Sequence, residues 1–172
     1  MSIFSKKLLN LFNKTGKRDK KNLGPIIPFD QADKVGIIYT WKGPEKETEI
    51  ENFIQSLIDE NKSVDVLCYN PTKEPIQTKH PFVSLSDLSA LGKLNSEAAL
   101  QFGNTPLDFL FHLDYELDDI LRSILIQTNA KCRVGHHSPD NSAYYELMIG
   151  IDKSNSLSNF TAQILKYIKA IK

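Results

Sequence analysis

The segment from Lys34 to Tyr69 constrains the fold more than any other part of the chain. Lys34-Val-Gly-Ile-Ile-Tyr-Thr-Trp41 is a continuous apolar and β-branched run, the pattern of a strand covered on both faces. Gly43-Pro44 breaks it, and Glu45, Glu47 and Glu49 place negative charge in the first turns of a following helix, where the macrodipole favours it. Ile50, Phe53, Ile54, Leu57 and Ile58 recur at helical spacing to about Asn61, and Ser63-Val-Asp-Val-Leu-Cys-Tyr69 returns to strand. Strand, helix and strand of these lengths form a right-handed parallel crossover. Gly36 within the first strand predicts a bulge or a close approach to the backbone.

The alternation continues beyond a loop from Thr72 to Pro81. Phe82 to Leu85 reads as a short strand, Ser86 to Leu91 and Ser96 to Phe102 as short helical pieces, and Leu107 to Leu113 as a buried strand. Asp114 is expected to cap a helix from Tyr115 to about Asn129, with Leu117, Ile120, Leu121, Ile124 and Leu125 as its apolar stripe. Lys131 to His136 and Tyr144 to Ile151 are strand candidates separated by the turn-rich Ser138 to Ser142. Ser156 or Asn155 caps a last helix striped by Leu157, Phe160, Ile164, Ile168 and Ile171.

A chain of 172 residues holds one core of ordinary size. The expected fold class is α/β: a three-layer domain over residues 34–172, with a central, mainly parallel sheet of about five strands in Rossmann-like alternation. Its last strand pair is expected to be antiparallel, because the connection is short for a parallel crossover.

Charge divides the chain. Lys plus Arg and Asp plus Glu both number 21, so the formal net charge is zero, which argues against general nucleic-acid binding. Residues 1–22 nevertheless carry Lys6, Lys7, Lys14, Lys17, Arg18, Lys20 and Lys21 against Asp19 alone, a local charge of +6. The remainder is therefore −6. Phe4, Leu8, Leu11 and Phe12 share one helical face, and Lys6, Lys7 and Lys14 flank it, so a short amphipathic helix is expected from about Ile3 to Lys14. Residues 23–33, with Gly24, Pro25 and Pro28, read as a linker or extended strap.

Such a basic arm suits an anionic membrane surface, an acidic partner, or packing on its own domain or a twin subunit. Specific nucleic-acid binding is not expected, since the arm lacks aromatics interleaved with arginines. Cys68 and Cys132 lack the dense, even spacing of a secreted disulfide framework, which points to a reducing cytoplasm. The best N-terminal apolar run is split by Asn10, and no stretch of about 18 apolar residues occurs, so neither a signal peptide nor a spanning helix is expected.

Val35-Gly-Ile-Ile-Tyr, Phe102 to Leu113 with Pro106-Leu-Asp-Phe-Leu, and Ala130-Lys-Cys-Arg-Val-Gly135 resemble an uncharacterised family of short proteins typical of Bacteroidetes-type bacteria. The resemblance covers most of residues 20–172 and carries no activity, cofactor or catalytic residue. It implies a bacterial, cytoplasmic source.

Individual chemistries are weakly signalled. The turn Thr40 to Glu47 has neither the spaced glycines of a dinucleotide site nor a phosphate-binding glycine-rich loop; Glu45 and Glu47 repel anions, and Pro44 removes a donor. His112, Asp114 and His136 fall at strand ends that converge on one edge of a parallel sheet, yet a partly exposed histidine cluster is the simpler reading than zinc. Cys68, with His112 or His136 as base and Asp114 as orienter, has the residue types of a nucleophilic site, but its apolar strand favours a buried thiol of raised pKa. Asp108, at the entry of a buried strand, needs a partner such as Lys34, Lys131 or Arg133.

These observations favour a non-enzymatic accessory or interaction module. It is cytoplasmic and peripheral on the inner membrane through Phe4, Lys6, Lys7, Leu8, Leu11, Phe12 and Lys14, or bound to a protein partner or to itself. No catalytic residue, metal or cofactor is assigned. The alternative is an enzyme or small-ligand binder using a rim of Thr40, Trp41, Asn70, Asp114 and His136.

Overall fold

Six strands of one sheet, all parallel, run in the order β3-β2-β1-β4-β5-β6. A computed structural model describes residues 26–72, 74–87 and 95–171. The strands are β1 (Lys34–Thr40), β2 (Ser63–Asn70), β3 (Phe82–Ser84), β4 (Leu107–His112), β5 (Ala130–His136) and β6 (Leu147–Ile149). The helices are α1 (Pro44–Asp59), α2 (Glu97–Asn104), α3 (Asp119–Gln127) and α4 (Leu157–Ile168). The expected helix from Ile3 to Lys14 lies outside the described residues, as does most of the helical piece expected after Ser86.

Alternation of side chains along each strand separates two cores. Val35, Ile37 and Tyr39 of β1 join Phe109 and Phe111 of β4 beneath Ile50, Phe53 and Leu57 of α1 and Phe160, Ile164 and Ile168 of α4. Ile38 and Leu110 lie on the other face, with Phe102 of α2 and Ile120, Leu121, Ile124 and Leu125 of α3. The rings of Phe53 and Phe111 meet edge to face at 5.5 Å, tying α1 to the centre of the sheet. The Gly36 expectation resolves as close approach: a Cβ there would lie 2.5 Å from Leu107 Cδ1.

Three sequence expectations change. Among the described residues the sheet has six strands rather than about five. The last pair is parallel, with Val134 opposite Leu147 and His136 opposite Ile149. A three-residue strand needs a return of only about 10 Å, which a 3-10 turn at Pro139–Asn141 and the chain through Tyr144 and Tyr145 supply without a helix. Gly135 permits this compact return, since its missing Cβ leaves room for the Tyr145 ring; a Cβ would sit 2.5 Å from Tyr145 Cε1.

The third concerns Asp114, which caps no helix. α3 begins later, and Asp118 is its cap, accepting a hydrogen bond from the Ile120 N–H at 2.7 Å. The chain from Asp114 to Leu117 is bent instead of helical, which frees the Asp114 carboxylate to turn inward.

Candidate functional site

In an open parallel sheet, ligands settle where neighbouring strands send their connections to opposite faces. Here that point lies between the C-terminal ends of β1 and β4, because α1 covers one face and α3 the other. The crevice is filled by the chain itself. Asp114, 5% exposed, accepts a hydrogen bond from the Thr40 N–H through Oδ2 at 2.7 Å and receives Lys46 Nζ on Oδ1 at 2.5 Å. Lys42 stands on the solvent side, 3.7 Å from the same Oδ1.

Pro44 at the first position of α1 and Gly43, with φ of 107°, aim the first turn of the helix so that Lys46 reaches under the β4 end. Burial lowers the Lys46 pKa, and Asp114 pulls it back up. The following amide is also occupied, since the Trp41 N–H donates to the Tyr69 carbonyl at 2.7 Å. Glu47 turns away from the crevice and accepts hydrogen bonds from Thr78 Oγ1 and the Lys79 N–H.

His112 is 1% exposed beneath this pair. Its Nδ1 shares a hydrogen bond with the Tyr145 hydroxyl at 2.7 Å, and the two rings stack at 6.0 Å. Its Nε2 lies 3.7 Å from Asp114 Oδ2 without a hydrogen bond. Burial pushes the imidazole pKa down to about 4 against the pull of Asp114, so the ring is neutral at pH 7.

The five rim residues therefore divide. Thr40 and Asp114 are joined directly. Trp41 is held to β2 through its amide, and Asn70 is spent on its own loop, donating to the Glu74 carbonyl and accepting from the Thr72 N–H. His136 Nε2 lies 2.7 Å from the Ile151 carbonyl oxygen, and its ring meets Tyr115 edge to face at 5.1 Å. Among the described residues, surface cavities of about 750, 660 and 180 Å³ are lined by other residues. The histidines of the strand ends are buried, not partly exposed as expected; of the adjacent pair only His137 faces solvent.

Cys68 is fully buried, and burial pushes its thiol up to about 11, so it is a poor nucleophile at neutral pH. Asp108 finds its partner in Lys131 Nζ at 2.8 Å and also accepts the Asp33 and Lys34 amides. Sequence reasoning missed Lys46 and Tyr145, the two residues that close the crevice and hold His112. Lys46 has a surface signature in a helical first turn, and Tyr145 declares itself only through the glycine it covers.

No curated protein and no solved structure matches the chain at a significant level. A family of unknown function (DUF6913) matches residues 2–171, nearly the whole length, and the chain belongs to that family.

Proposed function

We propose that this protein is a non-enzymatic accessory module of the bacterial cytoplasm that works by surface contact, with residues 1–22 as its membrane-facing arm. One observation carries the reading: the crevice that would take a ligand in such a sheet holds a buried carboxylate of the chain's own, matched to Thr40 N–H and Lys46. An incoming anion would have to displace Asp114 and meet the same two donors. The division into a +6 arm and a −6 body supports contact through the arm. Each lysine or arginine near an anionic bilayer contributes about 1 kcal/mol, and the Phe4, Leu8, Leu11 and Phe12 stripe supplies the apolar contact.

The test is co-sedimentation of the full chain with vesicles rich in phosphatidylserine at low salt. Binding that disappears in 0.5 M salt, on pure phosphatidylcholine and in Lys6→Glu/Lys7→Glu/Lys14→Glu supports the reading. Equal sedimentation by that variant contradicts it.

The second reading, a small-ligand binder at the C-terminal rim, rests on His112 Nε2, a buried ring nitrogen without a hydrogen bond beside Asp114. A saturable shift of the His112 ring resonances with a bound metabolite, at unchanged pH, would favour it over the first.

A further inference from the structure

β2 is eight residues long, but β3 pairs only with Cys68, Tyr69 and Asn70. Among the described residues, no strand pairs with Ser63 to Leu67 on the side away from β1. Ser63 N–H donates to Asp33 and the Tyr69 carbonyl accepts from Trp41, both toward β1, whereas Cys68 N–H donates to the Pro81 carbonyl, toward β3. Alternation then turns the N–H and C=O of Val64 and Val66 outward, in line with β3.

The chain leading into β3 is held off this line. Pro81 has no N–H to offer a ladder, and the residues before it are drawn onto α1. Thr78 Oγ1 and the Lys79 N–H donate to Glu47, and His80 Nε2 lies 2.8 Å from Glu51 Oε1. The first half of the β2 edge is therefore the floor of the 750 Å³ groove, between Glu51 and Ile54 of α1 and Ala98 and Phe102 of α2. Sheet edges are ordinarily covered, charged or kinked, because a row of open backbone groups is a template for another strand. This edge carries Val64 and Val66, and the charge of Asp65 between them is met by Lys34 at 3.1 Å.

The occupant's chemistry follows from what the groove offers. The floor presents the N–H and C=O of two residues, the pattern that the backbone of an extended peptide complements. On the α1 side the occupant's side chains meet Ile54, Val64 and Val66, and on the α2 side Ala98 and Phe102, so both of its faces are apolar. It carries no charge, because the acids of the groove are already matched and an added charge would be desolvated without a partner. Glu51 has His80 and, at 4.0 Å, Lys79 Nζ; Asp65 has Lys34; Glu97 has the N-terminal end of α2 and Gln101 Nε2 at 3.0 Å. A second copy does not fit these terms, since its own β2 edge lies equally deep between two helices and the two floors do not reach each other.

We propose that the β2 edge is a docking site for an extended, uncharged, apolar segment of a partner protein, which joins the sheet as one more strand against Val64 and Val66. Ser63 to Leu67 span about 16 Å, which sets the paired segment at about five residues. The contact uses the body of the protein and not its basic arm, so it goes beyond the membrane reading and does not depend on it.

NMR titration of the full, unaltered chain with the acetylated and amidated peptide Thr-Val-Thr-Val-Thr tests the proposal. The Val64 and Val66 amides shift saturably at millimolar peptide, and at saturation their hydrogen exchange slows at least tenfold. The Asp65 and Leu67 amides, which face β1, keep their rates. The same peptide N-methylated at every residue, which keeps the side chains and loses the donors, binds at least tenfold more weakly, as do versions with lysine or glutamate in place of valine. Absence of a saturable shift at Val64 and Val66, equal binding by the N-methylated peptide, or tighter binding by the lysine peptide overturns the proposal. Slow exchange of these two amides in the free chain also overturns it: a dependence on protein concentration identifies a second copy as the occupant, and independence identifies a segment of the same chain.

Discussion

The Asp114 carboxylate, at the end of β4, accepts the backbone N–H of Thr40, at the end of β1, across 2.7 Å. This bond bridges the two central strands at a point of the sheet where the connections diverge. Lys46 completes it from α1, with its side chain only 14% exposed. Removing one member of a buried ion pair leaves the other charged and desolvated. Asp114→Ala should therefore destabilise the protein by about 3 kcal/mol or more. Lys46→Met should cost less, because the carboxylate keeps the Thr40 N–H and has Lys42 at 3.7 Å. Urea unfolding of both variants and of the double variant measures this; the double should cost less than the two singles together.

His112 makes stability depend on pH in a defined window. Its folded-state pKa, about 4, lies below the ordinary value of 6.5, so as pH falls the unfolded chain takes up a proton that the folded chain refuses. Stability is full above about pH 6.5 and declines toward pH 4, by up to about 3 kcal/mol from this group alone. His112→Asn should flatten the dependence over that interval. Urea midpoints at pH 7, 5.5 and 4.5 for both proteins check it, and equal slopes would refute it.

Gly135 is held by the ring above it. Gly135→Ala should destabilise by about 1–3 kcal/mol through overpacking, despite the usual benefit of removing a strand glycine. Combined with Tyr145→Ala, the added methyl meets no ring. Its cost should then vanish, and thermal melting of the two singles and the double separates these outcomes.

Both cysteines are buried, and Cys68 has its thiol pushed up to about 11. Neither should react with an aromatic disulfide reagent at pH 8 in the folded chain on the minute timescale, while both should react at once in 6 M guanidinium. Rapid labelling of Cys68 in the folded state would mean an accessible thiolate that the buried strand does not allow.

How much of this was readable beforehand depended on whether a residue's partners were near it in sequence. The crossover from Lys34 to Tyr69 was legible because the strand and helix periods are local and unambiguous. The parallel β6 was not. Connection length suggests a hairpin unless it is known that β6 has only three residues and that Tyr145 folds down onto Gly135. Asp114 reads as a helix cap for the same reason that any aspartate before an amphipathic stretch does. Its true partners, Thr40 and Lys46, lie 74 and 68 positions away. Asp108 was easier, because an acid at a buried strand entry requires a cation and Lys131 begins the neighbouring strand. The lesson is that burial of a charged side chain can be inferred from pattern, while the identity of a distant partner waits on topology.

The central claim is that the crevice between β1 and β4 is closed by the chain's own ion pair. NMR titration of the full chain with inorganic phosphate and a panel of mononucleotides, at millimolar concentration and fixed pH, tests it most directly. The account predicts that the Thr40 and Lys46 amide resonances stay where they are throughout. A saturable shift of the Thr40 amide, lost in Lys46→Met, would show an anion displacing Asp114 and would contradict it.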